Sequence, residues 1–388
     1  MLKTGLALAA AAFLISPYGP VSLLKHQDAN GRWEAELRNQ DCEEKGDGFC
    51  VQLTLKTGTR LNRSTWGFPV PASAFTGLAA KADDYSAEKV HFELRRDAGT
   101  VKFDGSFDRG DGRGDFTFVP DPQYETALRK AGFGSAEDTE LLALALHGVT
   151  TARMTELADR GYAKGGIDDL LAFSIHGVDP EFIDEFKSLG YDHIDADDLV
   201  AMRIHGVDGG FVRSMKQDGN HRRSIDDLVA MRIHGVDGNF KHELAELDVG
   251  DVDDDDLVSL KIQGVDADFI RGLKDAGLED LDADDLVNLK IQGVSPEFVR
   301  EMIQTGLKDI DVDHLVSARI QGVSPGWIKE MVEAGLKDVD LDDLIGMKIQ
   351  GVDPAFARKF LEEEPGADAD DVISSWHHRG SSRRHRGT

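Results

Sequence analysis

Between residues 32 and 119, apolar and polar positions alternate in short runs: Trp33–Leu37, Val51–Leu55, Val90–Leu94, Val101–Phe103 and Phe116–Phe118. Alternation places successive side chains on opposite faces, and the intervening Gly and Asp clusters supply turns, so the pattern predicts a small antiparallel sheet. The Asp108–Gly114 run reads as turn chemistry and leads into Arg113-Gly114-Asp115, a tripeptide familiar from cell adhesion. Glycine-rich turns generate such triplets by chance, so the turn is the simpler reading. Beyond residue 120 the pattern becomes helical and repeats. Gly-Val recurs at Gly148, Gly177, Gly206, Gly235, Gly264, Gly293, Gly322 and Gly351, always 29 residues apart. A fixed period of this length marks stacked structural units. Seven residues before each glycine stands a leucine, from Leu141 to Leu344. Five residues after it stands an aromatic, Phe182, Phe211, Phe240, Phe269, Phe298, Trp327 or Phe356, with Arg153 the exception.

Within one period the stop and start signals define two helices. Asp282 and Asp285 stand at capping-box spacing, Leu286-Val-Asn-Leu-Lys-Ile forms the body, and Gly293 ends the helix with Val294 as the accompanying apolar contact. Ser295 caps the second helix and Pro296 occupies its first turn. Half-units flank the series: Asp121, Pro122 and Tyr124 before it, and Ile373, Trp376 and Gly380 after it, where His378 makes the last unit polar. The expected fold is therefore α+β: a small antiparallel β domain (residues 28–120) followed by an α-solenoid of eight 29-residue helical hairpins with half-repeat caps (121–380). Residues 381–388 form a basic tail expected to be disordered.

Charge and the N-terminus narrow the setting. Among 388 residues, 44 Lys and Arg face 72 Asp and Glu, a net charge of -28 that repels nucleic acid and anionic membranes. Lys3 followed by the apolar run Gly5–Ile15 has the layout of a secretory signal peptide or short anchor within residues 1–19, and is too short for a stable membrane span. Export puts the two cysteines, Cys42 and Cys50, in an oxidising compartment, where a disulfide between them is expected.

Several repeated positions carry candidate chemistry. Three residues before six of the glycines stands a cation: Arg203, Arg232, Lys261, Lys290, Arg319 and Lys348. This ladder borders the packed face and either binds an extended acidic partner or complements the helix dipoles, the latter being the simpler reading. His147, His176, His205 and His234, then Gln263, Gln292, Gln321 and Gln350, directly precede the glycines. Neighbouring helices about 8 to 10 Å apart keep these histidines from sharing one zinc ion. Asp251, Asp253 and Asp255 lack a calcium-loop glycine, and His242-Glu243 is followed by Glu246 where a zinc-peptidase motif needs histidine. The turns resemble DNA-binding helical hairpins, but Asp179, Asp208, Asp237, Asp266 and Asp353 would repel a phosphate. No metal, cofactor or catalytic motif is expected. A hydrolytic β domain around His91 is the alternative, and a structural or adhesive surface protein a second one.

The unit at residues 284–302, Asp-Asp-Leu-Val-Asn-Leu-Lys-Ile-Gln-Gly-Val-Ser-Pro-Glu-Phe-Val-Arg-Glu-Met, and the run from Phe92 to Phe107 resemble repeat extensions of BlaR1/MecR1-type membrane metallopeptidases. The multi-pass membrane part and the zinc motif of that family have no counterpart in this sequence. The resemblance implies a bacterial envelope setting, periplasmic or secreted, and a role in sensing or in binding a protein or peptide partner rather than peptidase activity.

Overall fold

A computed structural model describes residues 29–38, 50–58, 63–78, 88–215, 223–336 and 339–384. The expected signal segment, Cys42 and the last four residues of the basic tail lie outside them. The chain divides into two compact units, Met1–Asp184 with Ile194–Val200, and Glu185–His193 with Ala201–Thr388. Together the described residues form an α+β protein with one curled antiparallel sheet and eighteen α-helices.

The sheet belongs to the first unit. Its strands are β1 (Asn30–Arg38), β2 (Cys50–Gly58), β3 (Arg63–Pro71), β4 (Phe75–Thr76), β5 (Glu88–Arg96), β6 (Gly99–Asp108) and β7 (Asp111–Pro120), in the order β3-β2-β1-β7-β6-β5-β4. The five alternating runs all fall in strands. β3 and β4 escape the pattern because β3 carries Pro69 and Pro71 and β4 is only two residues long. Proline cannot donate to a ladder, so β3 sits at the sheet edge.

The inner face is organised by Trp33, which is 1% exposed. Its ring meets Phe92 and Phe103 edge-on, with centroids 5.3 and 6.0 Å away, and its Nε1 donates to the Asp104 carbonyl at 3.2 Å. The indole lies flat on backbone. A Cβ at Gly105, Gly112 or Gly114 would approach it to 2.6, 2.5 and 2.7 Å, closer than atoms tolerate. Here the sequence-based expectation of a long turn at Asp108–Gly114 is corrected: only Arg109 and Gly110 form the turn, and Gly112 and Gly114 are strand residues kept bare for Trp33. Arg113-Gly114-Asp115 accordingly lies within β7, paired with both β1 and β6, and not at a hairpin tip. Cys50 opens β2 and is disulfide-bonded.

Helices of the first unit follow directly: α1 (Pro122–Ala131), α2 (Asp138–Leu146), α3 (Thr151–Asp159) and α4 (Gly166–His176), and the division between the units falls within α5 (Pro180–Ser188). α2 packs on β5, β6 and β7, and Thr151 N–H donates to Asp97 Oδ2 at 2.8 Å, which ties the start of α3 to the β5–β6 turn. α6 (Ala196–His205) leads into the second unit.

There the helices are α7 (Gly209–Met215), α8 (Ile225–His234), α9 (Gly238–Glu246), α10 (Asp254–Ile262), α11 (Ala267–Ala276), α12 (Ala283–Ile291), α13 (Pro296–Ile303), α14 (Val312–Gln321), α15 (Pro325–Glu333), α16 (Leu341–Ile349), α17 (Pro354–Glu363) and α18 (Ala369–Arg384). α18 continues through Arg384, four residues into the segment expected to be a tail. Even-numbered helices from α8 to α18 pack in series, as do odd-numbered ones from α7 to α17. In this unit each leucine seven residues before a glycine, from Leu228 to Leu344, is at most 1% exposed, so these side chains form the spine of its core. The stop works as its sequence predicts: Gly293 adopts φ 69°, Val294 N–H donates to Leu289 O at 2.9 Å, and Gly293 N–H to Lys290 O at 3.1 Å.

Seating Trp33 on bare backbone makes a specific demand. Gly112→Ala should destabilise the sheet by about 1–3 kcal/mol through overpacking, whereas Thr117→Ala on the solvent face of β7 should cost less than about 0.5 kcal/mol. Urea unfolding followed by tryptophan fluorescence compares the two, and equal costs would refute the role given to Gly112.

Candidate interaction face of the repeat helices

Helices α8, α10, α12, α14 and α16 share one register, and each has one face toward the core and one toward solvent. Four residues before the glycines, Met231, Leu260, Leu289, Ala318 and Met347 are fully buried. Two residues further on, about 200° round the helix, Ile233, Ile262, Ile291, Ile320 and Ile349 are 50, 53, 56, 57 and 57% exposed. Ile175 and Ile204 hold the same register position in α4 and α6 and are also exposed. Single exposed apolar residues are ordinary, but a row at one register position is a patch. Val229, Val258 and Val287, one turn earlier, are half-buried and widen it.

The opposite end of the same face is acidic. Asp226, Asp255, Asp284, Asp313 and Asp342 precede those isoleucines by seven residues, two turns or about 10 Å along the helix, and all are exposed. Only Asp342 has a basic neighbour, His314 Nε2 at 3.5 Å; the other four form no ion pair among the described residues. One position on stand the capping-box aspartates. Asp256, Asp285 and Asp343 each accept from the N-cap backbone N–H of Asp253, Asp282 and Asp340, and their own N–H groups donate back to those carboxylates. Burial pushes all three carboxyls above the usual carboxylate range. Crowding adds to it: Asp284 of the next repeat raises Asp256, Asp313 raises Asp285, and Asp370 and Asp368 raise Asp343.

The cation ladder is turned elsewhere. Arg232 lies over the Phe211 ring at 5.1 Å, Lys261 over Phe240 at 3.9 Å, Lys290 over Phe269 at 4.1 Å, Arg319 over Phe298 at 5.2 Å and Lys348 over Trp327 at 4.7 Å. Each ring belongs to the second helix of one repeat and each cation to the first helix of the next, so five cation–π contacts join neighbours. Arg203 holds the sixth place in register. Where the ring is missing the cation is missing too: Arg153 takes the aromatic position and Ser174 the cation position one repeat on. There Arg153 Nη2 donates to Val178 O at 2.9 Å and Ser174 Oγ to His147 O at 2.9 Å. At the far end His377 holds the cation's register position, and Trp376 meets Phe356 edge-on at 4.9 Å.

The other singled-out groups serve local structure. Burial pushes the His147 imidazole below its ordinary value, and the ring lies 6.3 Å from Phe68. Asp253 caps α10, and His242 pairs with Glu246 along α9 at 3.3 Å. Among the described residues no cluster of His, Cys, Asp and Glu could hold a metal ion. His91 Nδ1 pairs with Asp104 Oδ1 on the solvent face of β5 and β6, with side chains 78 and 64% exposed, while the inner face is filled by rings. No helix among the described residues is long and apolar enough to cross a membrane. Family models and curated proteins offer no match to this chain.

Two expectations follow from the joints and the carboxylates. In a double-mutant cycle of Lys261→Gln and Phe240→Leu, monitored by chemical denaturation, the coupling should be about 0.5–1 kcal/mol, the range of partly exposed cation–π pairs; additive effects would remove the joint. For Asp256, Asp285 and Asp343 the native carboxyl values lie above the unfolded ones, so native chains bind more protons and these groups lower stability as pH rises through that interval. Replacing all three by Asn should flatten the decline in melting temperature as pH rises from the ordinary carboxyl value to the raised native one. An unchanged or steeper slope would contradict the crowding.

Proposed function

We propose that the protein is an exported, non-catalytic scaffold: an α-solenoid of eight 29-residue hairpins with half-repeat caps that holds a protein or peptide partner in the bacterial envelope. The observation that carries this reading is the isoleucine row, exposed at one register position in five successive first helices of the second unit. Stacking does not require it, since each of these helices already buries its leucine and a second apolar residue in the core. A repeated, solvent-facing aliphatic row is the property expected of an interaction surface. The cation ladder, the first candidate from sequence, acts in this reading as the joint between repeats and sets the spacing at which the isoleucines are displayed. The envelope setting rests on the N-terminal segment and on the resemblance to repeat extensions of membrane metallopeptidases. An extended binding arm fits a sensing role in that setting.

The test places a photo-crosslinking residue, p-benzoylphenylalanine, at position 262 or 291 of the full chain, and at position 91 on the sheet as a control. In exporting cells the helical positions should give discrete protein adducts, identified by mass spectrometry, that position 91 does not. Equal adducts at all three positions, or none at 262 and 291, would refute the assignment of this face.

A further inference from the structure

We infer that the isoleucine face receives a basic amphipathic helix of a partner protein, an inference that rests on reading this face as the docking surface. Three observations select this occupant. The face pairs each isoleucine with a carboxylate two turns away on the same side, Ile233 with Asp226, Ile262 with Asp255, Ile291 with Asp284 and Ile320 with Asp313, and these carboxylates have no ion pair among the described residues. The positive charges that would favour an acidic partner lie over aromatic rings toward the neighbouring repeat instead. The chain's net charge of -28 attracts a cationic segment and repels an acidic one or a second copy.

Spacing favours a helix. Packed helices stand about 8–10 Å apart, so neighbouring isoleucines recur at that interval. Seven residues of an α-helix rise about 10.5 Å and return to the same face. An extended segment covers about 10 Å in three residues, which puts successive contacts on opposite faces. A helix with apolar residues two turns apart therefore meets consecutive isoleucines, and its flanking Lys or Arg residues reach the aspartates, a helix-on-groove mode of recognition.

Fluorescence anisotropy with the full chain tests this, using a labelled Leu/Lys amphipathic peptide of about 18 residues, about 27 Å when helical. Controls are a Leu/Glu peptide of the same pattern and a shuffled Leu/Lys peptide that cannot form one apolar face. The Leu/Lys peptide should bind at least about tenfold tighter than either control, equivalent to about 1.4 kcal/mol. Combined Ile233→Ser, Ile262→Ser and Ile291→Ser, which leave charge unchanged, should remove that preference. Combined Asp226→Asn, Asp255→Asn and Asp284→Asn should weaken binding and flatten its salt dependence while leaving the isoleucines intact, so the inference stays testable even if the serine variant melts early. Leu/Lys binding unaffected by the serine changes would mean adsorption to net charge and would overturn the inference. Tighter Leu/Glu binding lost in the serine variant would overturn the basic partner while retaining the docking face. Sedimentation showing a dimer abolished by the serine changes would assign the face to a second copy and overturn it as well.

Discussion

A two-helix unit of 29 residues is too short to enclose its own leucines, and the helical part is organised by that constraint. In the second unit the spine leucines are buried where first helices meet first helices and second helices meet second helices in series. Stacking of this kind tolerates no drift in register. The glycine stop, the N-caps and the cation–π joints all involve atoms at fixed offsets, so one inserted residue would break several at once. An unbroken 29-residue spacing is the sequence record of that demand.

Where local chemistry decided the structure, the chain was legible. Alternation exposed five of the seven strands, and Gly-Val with its flanking caps marked the ends of the first helices from α8 to α16. The failures share a cause, which is dependence on a residue distant in sequence. Gly112 and Gly114 look like turn residues until Trp33 is laid across them from β1. Lys261 lies over Phe240 of the previous repeat, a partner that invites no reading from local periodicity. A trace of that pairing was present, since Arg153 and Ser174 depart from the pattern together.

The isoleucine row was hidden for a different reason. In Leu286-Val-Asn-Leu-Lys-Ile the apolar residues run round more than half of the helix, and the pattern alone does not say which of them meets solvent. Leu289 is fully buried and Ile291, two residues on, is 56% exposed, because the packed helices cover the face that carries Leu289 and leave the opposite face to solvent. The distinguishing signal was positional constancy: an isoleucine at this place from Ile175 to Ile349, where the core would be served as well by polar residues facing water.

Charge is partitioned by the same geometry. A first helix needs acceptors at its N-terminus, and in α10, α12 and α16 aspartates at the cap and third positions supply them in register, where carboxylates of the following repeat add to burial in raising the proton affinity of Asp256 and Asp285. Cations placed among them would neutralise this row, but the chain positions its regular cations at the other end of each helix, where they complement the dipole and cover the preceding ring. Positive charge is thereby drawn into the joints, and negative charge is left on the face that also displays the isoleucines. The polarity of the surface open to a partner is thus a direct consequence of how each repeat is capped and joined to the next.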